Sequence, residues 1–461
     1  MVERGLTPHD AGMALSRNPK TIAELVSSLP DFLETIDQFW EGVGEVAHAQ
    51  VEDMRGTLKG VFGGDLFPSS CENIASKCGL YTDTLVLPDP FLRTKHIFQR
   101  ASDERKAYFL IKHGVNLLQY KVLACADVNP PIVAILPDQS ALDTDEKEWF
   151  HSLGKEDTVV HAGRLFGRGF SSFDEVVDFS RSLDTVESVV ANISDPSRLL
   201  FDTEWEGSAT EQISRAVSDP LYSSMIGSAE PGLIVALQAL GRMGTSNELL
   251  VKARRLRGTP IIDAPTSWQF FVWKLEYDAQ HAEAAEGLSN LHVVRGLQTL
   301  AENEMQWLGK VPPDALIEIR KAGALDEVRG ILNKGIEELS IVNPLNFHRT
   351  SDQVFDNIHS AFSAHQKNID ALRMKKWTFA GSDVGSWLVV GSLAVTAAAT
   401  GAPVWGLAAL AADQLLPAPK LKDIPKSIRS MAEESSKLKL SPVGMLFRLS
   451  KSVASEETPS K

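Results

Sequence analysis

Thr84-Leu-Val-Leu87, closed by Pro88-Asp89-Pro90, and Ile132-Val-Ala-Ile-Leu136, closed by Pro137-Asp138, are the stretches that decide the fold. Each is a short aliphatic, β-branched run shut off by a proline, which cannot donate to a sheet ladder. Between them, Ser102 to Ala126 reads as one long helix ended by Asn129-Pro130-Pro131. Strand, helix, strand in that order needs a crossover, and so predicts a parallel βαβ unit.

Working outwards, residues 1–66 read as a helical entry region. Phe32, Ile36, Phe39 and Trp40 recur at helical spacing there before a glycine-rich break at Gly60, Gly63 and Gly64. Residues 67–200 form the α/β region, in which Ser172 and Glu175 have the spacing of a capping box for a helix starting near Phe173. Residues 201–345 read as a helical domain. Pro312-Pro313-Asp314 opens one helix and Gly323 ends it, and Leu325, Val328, Leu332, Ile336 and Leu339 then make one apolar stripe. Within 346–382, Thr350 and Gln353 are spaced as a second capping box ahead of Val354, Ile358, Phe362, Ile369 and Leu372, which implies a long helix.

Gly385 to Ala412 (GSWLVVGSLAVTAAATGAPVWGLAALAA) holds no charged residue over 28 positions. About 20 apolar residues suffice to cross a bilayer core. Gly401-Ala402-Pro403 interrupts the run, so 383–417 reads as an apolar helical hairpin, buried in protein or set against lipid. Its contact candidates are Trp387, Leu388, Val389, Leu393, Val395, Trp405, Leu407 and Leu410. The tail, 418–461, has nine basic and five acidic residues, a net of +4 in a chain of −14. Lys420, Lys422, Lys426 and Arg429 would meet an anionic leaflet, or pair with the acidic body. The expected fold is therefore predominantly α with a small parallel βαβ-type region, multidomain, and ending in an apolar helical hairpin.

The length of 461 residues exceeds what a single core of about 250–300 residues fills. The net charge of −14 argues against a body that grips nucleic acid, whose phosphates call for a basic face. Three cysteines, Cys71, Cys78 and Cys125, are too few for a disulfide framework and point to a reducing compartment. Met1 to Pro30 has no basic start followed by an apolar run, so no secretory signal is expected.

Candidate chemistry lies at the ends of the strand-like runs. Asp89 and Asp138 each follow a proline there, and Asp263 follows Pro260-Ile261-Ile262 in a similar way. Carboxylates outside the carboxyl ends of strands could hold magnesium or polarise a water, although Pro-Asp is also ordinary turn chemistry. Gly163, Arg164, Gly167, Arg168 and Gly169 could cradle an anion, but match neither nucleotide-loop pattern. Cys71 and Cys78 lack zinc spacing, His359 and His365 lie on different faces, and no metal site is expected. No cofactor is specified. These features favour a cytoplasmic helical effector or scaffold whose hairpin contacts a membrane or a protein partner, a device useful in bacterial toxicity or antiviral defence. The alternatives are a soluble metal- or nucleotide-dependent enzyme using the strand-end carboxylates, and a structural protein whose hairpin stays buried.

Overall fold

The computed structural model describes residues 7–64, 73–138, 144–219, 227–278, 288–302, 305–342, 347–374, 378–379, 382–383, 437–438 and 440–456. Helices dominate, and they surround one four-stranded parallel sheet. The chain starts with α1 (Pro8–Leu15) and the 35-residue α2 (Pro19–Asp53), then enters β1 (Lys59–Phe62). Helix α3 (Ile74–Cys78) leads to β2 (Thr84–Pro88), and α4 (Pro90–Arg93), α5 (Lys95–Arg100) and α6 (Asp103–Ala124) lead to β3 (Val133–Leu136). A long helical excursion follows: α7 (Thr144–Phe166), α8 (Phe173–Arg181), α9 (Val186–Asn192), α10 (Ala209–Ser218) and α11 (Pro231–Arg255). Strand β4 (Gly258–Ile261) returns to the sheet. Beyond it come α12 (Pro265–Asp278), α13 (Leu288–Glu302), α14 (Pro313–Lys321), α15 (Leu325–Leu332), α16 (Ile336–Val342), α17 (Phe347–Met374) and α18 (Pro442–Glu456). Thr378–Phe379 and Ser382–Asp383 form a two-residue antiparallel pair.

The sheet order is β3-β2-β1-β4, with every neighbour parallel. The expected βαβ unit is present as β2-α6-β3, with Leu85 opposite Val133 and Leu87 opposite Ile135. Two of the strands, β1 and β4, are not expected from the sequence pattern. β1 lies inside the segment taken as helical entry, and β4 inside the helical domain, so both segments contribute to one sheet with 67–200. β4 contains Pro260, which is tolerated because β4 is an edge strand bonded only to β1.

Both faces of the sheet are buried, as parallel sheets require. Phe62, Leu85, Leu87, Val133 and Ile261 point into a large core completed by α3, α13 and the helices from α14 to α18. Val61, Val86 and Leu136 point the other way, onto Leu249, Leu250, Ala253 and Leu256 of the α11 end and onto Phe271 of α12. The neighbours on a strand thus alternate between two cores, which is the period of two expected of an extended chain. Fully burying one such Leu, Val or Phe contributes about 1.5–3 kcal/mol. Lys59, the first residue of β1, is 2% exposed and turns back to donate from Nζ to the carbonyls of Val51 (2.7 Å) and Glu52 (3.2 Å). It therefore caps the negative end of α2. A third core, with Leu165, Val176, Val189, Phe201, Ile213 and Ile234, holds the helical excursion together.

Several local expectations are refined. Ser102 caps α6 and Ser172 caps α8, but Glu175 returns its carboxylate to Ser171 rather than to Ser172. Gly323, at φ +66°, ends α14 as expected. The Leu325–Leu339 stripe is carried by two helices, because the chain turns at Gly335 with φ +77°. The Thr350/Gln353 capping box is not formed. Helix α17 starts earlier, at Phe347, and Thr350 is buried within it against His292 Nδ1 at 2.7 Å. Apart from Asp383, the hairpin reading of 383–417 lies outside the described residues, as do most of the basic tail and Cys71.

Candidate functional site

In an open parallel sheet the carboxyl ends of the strands face a crevice where the strand order reverses, and ligands bind there. In this sheet the reversal lies between β1, which is followed on one side by β2 and β3, and β4 on the other. The carboxyl edge carries Gly63-Gly64 after β1, Asp89 after β2, Asp138 after β3 and Ile262-Asp263 after β4.

Asp89 and Asp138 are fully engaged by the protein itself. Asp89 is the cap of α4, where Oδ1 accepts from the amides of Phe91 (2.8 Å) and Leu92 (3.1 Å). Its Oδ2 accepts from Trp40 Nε1 of α2 at 2.8 Å, so the end of β2 is sealed by an indole. Asp138 accepts from Arg93 Nε at 2.5 Å and from Lys252 Nζ at 2.6 Å. Burial alone would raise the Asp138 pKa, but the two cations outweigh it and hold the carboxyl well below the usual carboxylate range. Asp138 therefore ties α4, β3 and α11 together as a buried carboxylate between two cations. These partners explain both residues as structural ties, and neither has an oxygen left without a protein donor.

Asp263 sits differently, half-buried beside the large core. Burial first, and the Asp263 carboxylate in addition, push the Tyr120 hydroxyl and the Cys78 thiol up, the latter to about 12. Cys78 is thus a buried thiol and not a nucleophile. Among the described residues no group of three or more His, Cys, Asp or Glu side chains is placed to hold a metal ion.

The β1/β4 crevice gathers groups of another kind. Gly63 continues the ladder by donating to the Ile261 carbonyl at 3.0 Å. Gly64 has φ +83°, and a Cβ there would stand 3.2 Å from both Ile262 Cγ2 and Ser267 Cβ. Only glycine lets the two strand ends approach so closely without strain. The Gly64 carbonyl accepts from Ser267 Oγ at 2.7 Å, and Ser267 Oγ in turn accepts from Arg242 Nη1 at 3.0 Å. Ser267 and Thr266 stand in the first turn of α12, whose free amides and dipole favour an anion. Gln298 Nε2 donates to the Ile262 carbonyl at 3.1 Å and fixes the floor. Asp202 flanks the helix start, 3.5 Å from Thr266 Oγ1. No carboxylate of the described residues pairs with Arg242, whereas Arg93, Lys252, Arg164, Arg198 and Arg255 each have one.

The glycine-rich run at 163–169 is a helix end rather than an anion cradle. Gly167, at φ +64°, follows the last residue of α7, and Arg168 N donates to the Gly163 carbonyl at 3.1 Å, closing the helix. Arg164 and Arg198 both bind Glu276, and Arg168 pairs with Glu175 and stacks over Phe170 and Phe179. Beside them His161 is buried, and burial lowers its pKa to about 4. Its Nε2 donates to the Arg198 carbonyl at 3.1 Å, so Nδ1 accepts from the Tyr277 hydroxyl at 2.8 Å. A small cleft of about 130 Å³ is lined by His48, Glu52, Glu146, Phe150, Glu248, Lys252, Arg255 and Leu256.

Asp89, Asp138 and Asp263 all stand beyond strand ends, as their places after the strand-like runs imply. Arg242, Ser267, Arg93 and Lys252 are helical residues with no local signature, and Trp40 shows in the sequence only as part of a helical stripe. In the sequence Gly63-Gly64 reads only as a break.

No family model, curated protein or solved structure matches this chain.

Proposed function

We propose that this chain binds a small phosphate-bearing ligand, of mononucleotide size, in the crevice between β1 and β4. The observation that carries this reading is Arg242, a half-buried cation held by Ser267 over the Gly64 turn, with no carboxylate partner among the described residues. Three further features favour the same ligand class. They are the reversal of strand order, the glycine turn that admits a close approach, and the start of α12. Arginine suits phosphate because its planar fork can donate two parallel hydrogen bonds. The size limit comes from Asp89, since Trp40 already holds the carboxylate that a longer ligand would meet at β2. This reading moves the enzyme alternative away from the strand-end carboxylates of β2 and β3. Asp263 remains as an acidic side chain beside the crevice.

The test is calorimetric titration of the full chain with pyrophosphate and with nucleoside mono-, di- and triphosphates, repeated on Arg242→Gln and Arg242→Lys. Binding by the parent chain, lost in Arg242→Gln and partly kept in Arg242→Lys, supports the reading. Absence of binding across the panel, or equal binding by Arg242→Gln, removes it.

A second reading rests on the uncharged run Gly385–Ala412 and the basic residues after it. Here the hairpin contacts a membrane or a protein partner, and the ligand-binding body controls its exposure, as an effector of toxicity or antiviral defence would require. Trp387, Leu388, Val389, Leu393, Val395, Trp405, Leu407, Leu410, Lys420, Lys422, Lys426 and Arg429 all lie outside the described residues. Among the described residues no helix is long and apolar enough to cross a membrane. Fractionation of cells expressing the full chain and a chain ending at Ser382 tests it. Membrane recovery of the full chain alone supports this reading, and identical distribution of the two removes it.

A further inference from the structure

Helix α2 buries one side against the body through Leu29, Trp40, Gly44 and Val51. Its outer side is unusual for a surface helix. Phe32 is 37% exposed, Phe39 56%, Val43 39% and Val46 69%. Phe32, Phe39 and Val46 are spaced by seven, and so lie on one line along the helix. A second line, Thr35, Gly42 and Ala49, of which Gly42 and Ala49 are small, runs beside it with the same spacing and is likewise exposed. A Cβ placed on Gly42 would meet nothing within 4 Å, so the space over it is open.

We infer that this face is a self-association surface on which α2 packs antiparallel against α2 of a second copy of the chain. The occupant follows from the order of sizes along the two lines. In an antiparallel helix pair the two seam lines face each other, so each large residue needs a small one opposite. Aligning Phe39 with Gly42 of the second copy also aligns Phe32 with Ala49 and Val46 with Thr35. One register gives two large-to-small matches, Phe39 on Gly42 and Phe32 on Ala49, and sets Val46 against the similarly sized Thr35, and the two-fold axis repeats each of them. A like-sized parallel pairing would set Phe39 against Phe39 and leave a void at Gly42.

The area fixes the strength. From Phe32 to Ala49 the seam is about 26 Å long and about 10 Å wide, so each copy covers roughly 260 Å². Stable complexes bury about 1,200–2,000 Å² in total, so this association is weak and depends on concentration. Asp31, Glu41 and Glu45 are exposed along one edge of the seam, and both copies bring them. The dimer must therefore overcome like-charge repulsion, and salt strengthens it by screening. A basic partner on the same face would behave in the opposite way.

The experiment is sedimentation velocity of the full chain over a concentration series, in low and in high salt, with Phe39→Ala, Gly42→Phe and the double variant. Both positions are exposed, and circular dichroism checks that each variant keeps its helix content. The expected result is a dimer favoured by high salt, weakened at least about tenfold by either single change. The double variant restores association, because the large and the small side chain have then exchanged places across the seam and again face each other. A monomer at every concentration in high salt overturns the inference. So does a dimer indifferent to the single changes, a double variant no better than the singles, or association that weakens with salt.

Discussion

Replacing Asp138 by Asn separates a structural tie from a catalytic carboxylate. The Asp138 side chain is 4% exposed, between Arg93 at 15% and Lys252 at 11%. The amide keeps the shape and removes the charge, so two nearly buried cations lose their common counter-ion, and an amide N–H replaces one acceptor. Breaking a buried pair in this way costs about 3–5 kcal/mol, far more than an exposed pair, because the remaining charge stays desolvated. Lys252→Met should cost less, about 1.5–3 kcal/mol, since Asp138 keeps Arg93 while losing one charged hydrogen bond. Combining Asp138→Asn with Lys252→Met should then recover part of the loss, as one stranded cation is gone. Urea denaturation read by circular dichroism measures all three, provided that the slope of the transition is unchanged. A loss below about 1 kcal/mol for Asp138→Asn, or strictly additive losses in the double variant, would refute the buried-tie account.

Three further outcomes follow from the same geometry. Trp40→Phe removes the donor to Asp89 Oδ2 and should cost about 1.5–3 kcal/mol in a denaturant melt, the range for a bond to a charged acceptor. Gly64→Ala meets both the positive φ and the 3.2 Å approach to Ile262 and Ser267, and should cost about 1–3 kcal/mol, whereas Gly42→Ala should not destabilise the fold. Stability should also fall on acidification. Burial lowers His161 to about 4 and His113 to about 3, so the unfolded chain takes up protons near pH 6.5 while the folded chain does not. Each histidine then removes about 3 kcal/mol between pH 6.5 and 4, and Asp138 adds to the loss only below about pH 4. Melting curves at stepped pH check the window, and a flat profile from pH 7 to 4 contradicts it.

What the sequence made legible was the part of the fold written in local pattern. TLVL and IVAIL are long enough to show aliphatic strands, and Ser172 announces its helix through capping chemistry. β1 and β4 were invisible for a physical reason. Lys59-Gly-Val-Phe62 offers two apolar residues between a lysine and a glycine pair, and Gly258-Thr-Pro-Ile261 carries a proline that only an edge strand accepts. At four residues each they depend on their neighbours and not on propensity. The strand-end aspartates could be found because Pro-Asp marks a chain leaving a sheet. Their roles could not, because Trp40, Arg93 and Lys252 reach them from helices far away in the chain. Arg242 lies in the middle of α11, where an arginine reads as any solvated helical charge until β1 and α12 are seen beside it.

Hydrogen–deuterium exchange of the full chain, with and without the tightest-binding phosphate compound of the titration panel, tests the switch-point account most directly. Protection should rise at Gly63-Gly64 and over 262–267, and at no other strand end, and Arg242→Gln should abolish the change. Protection centred on 88–92 or 136–138 with the β1/β4 turn unaltered would contradict it, by placing the ligand on the carboxylates that Trp40, Arg93 and Lys252 already occupy.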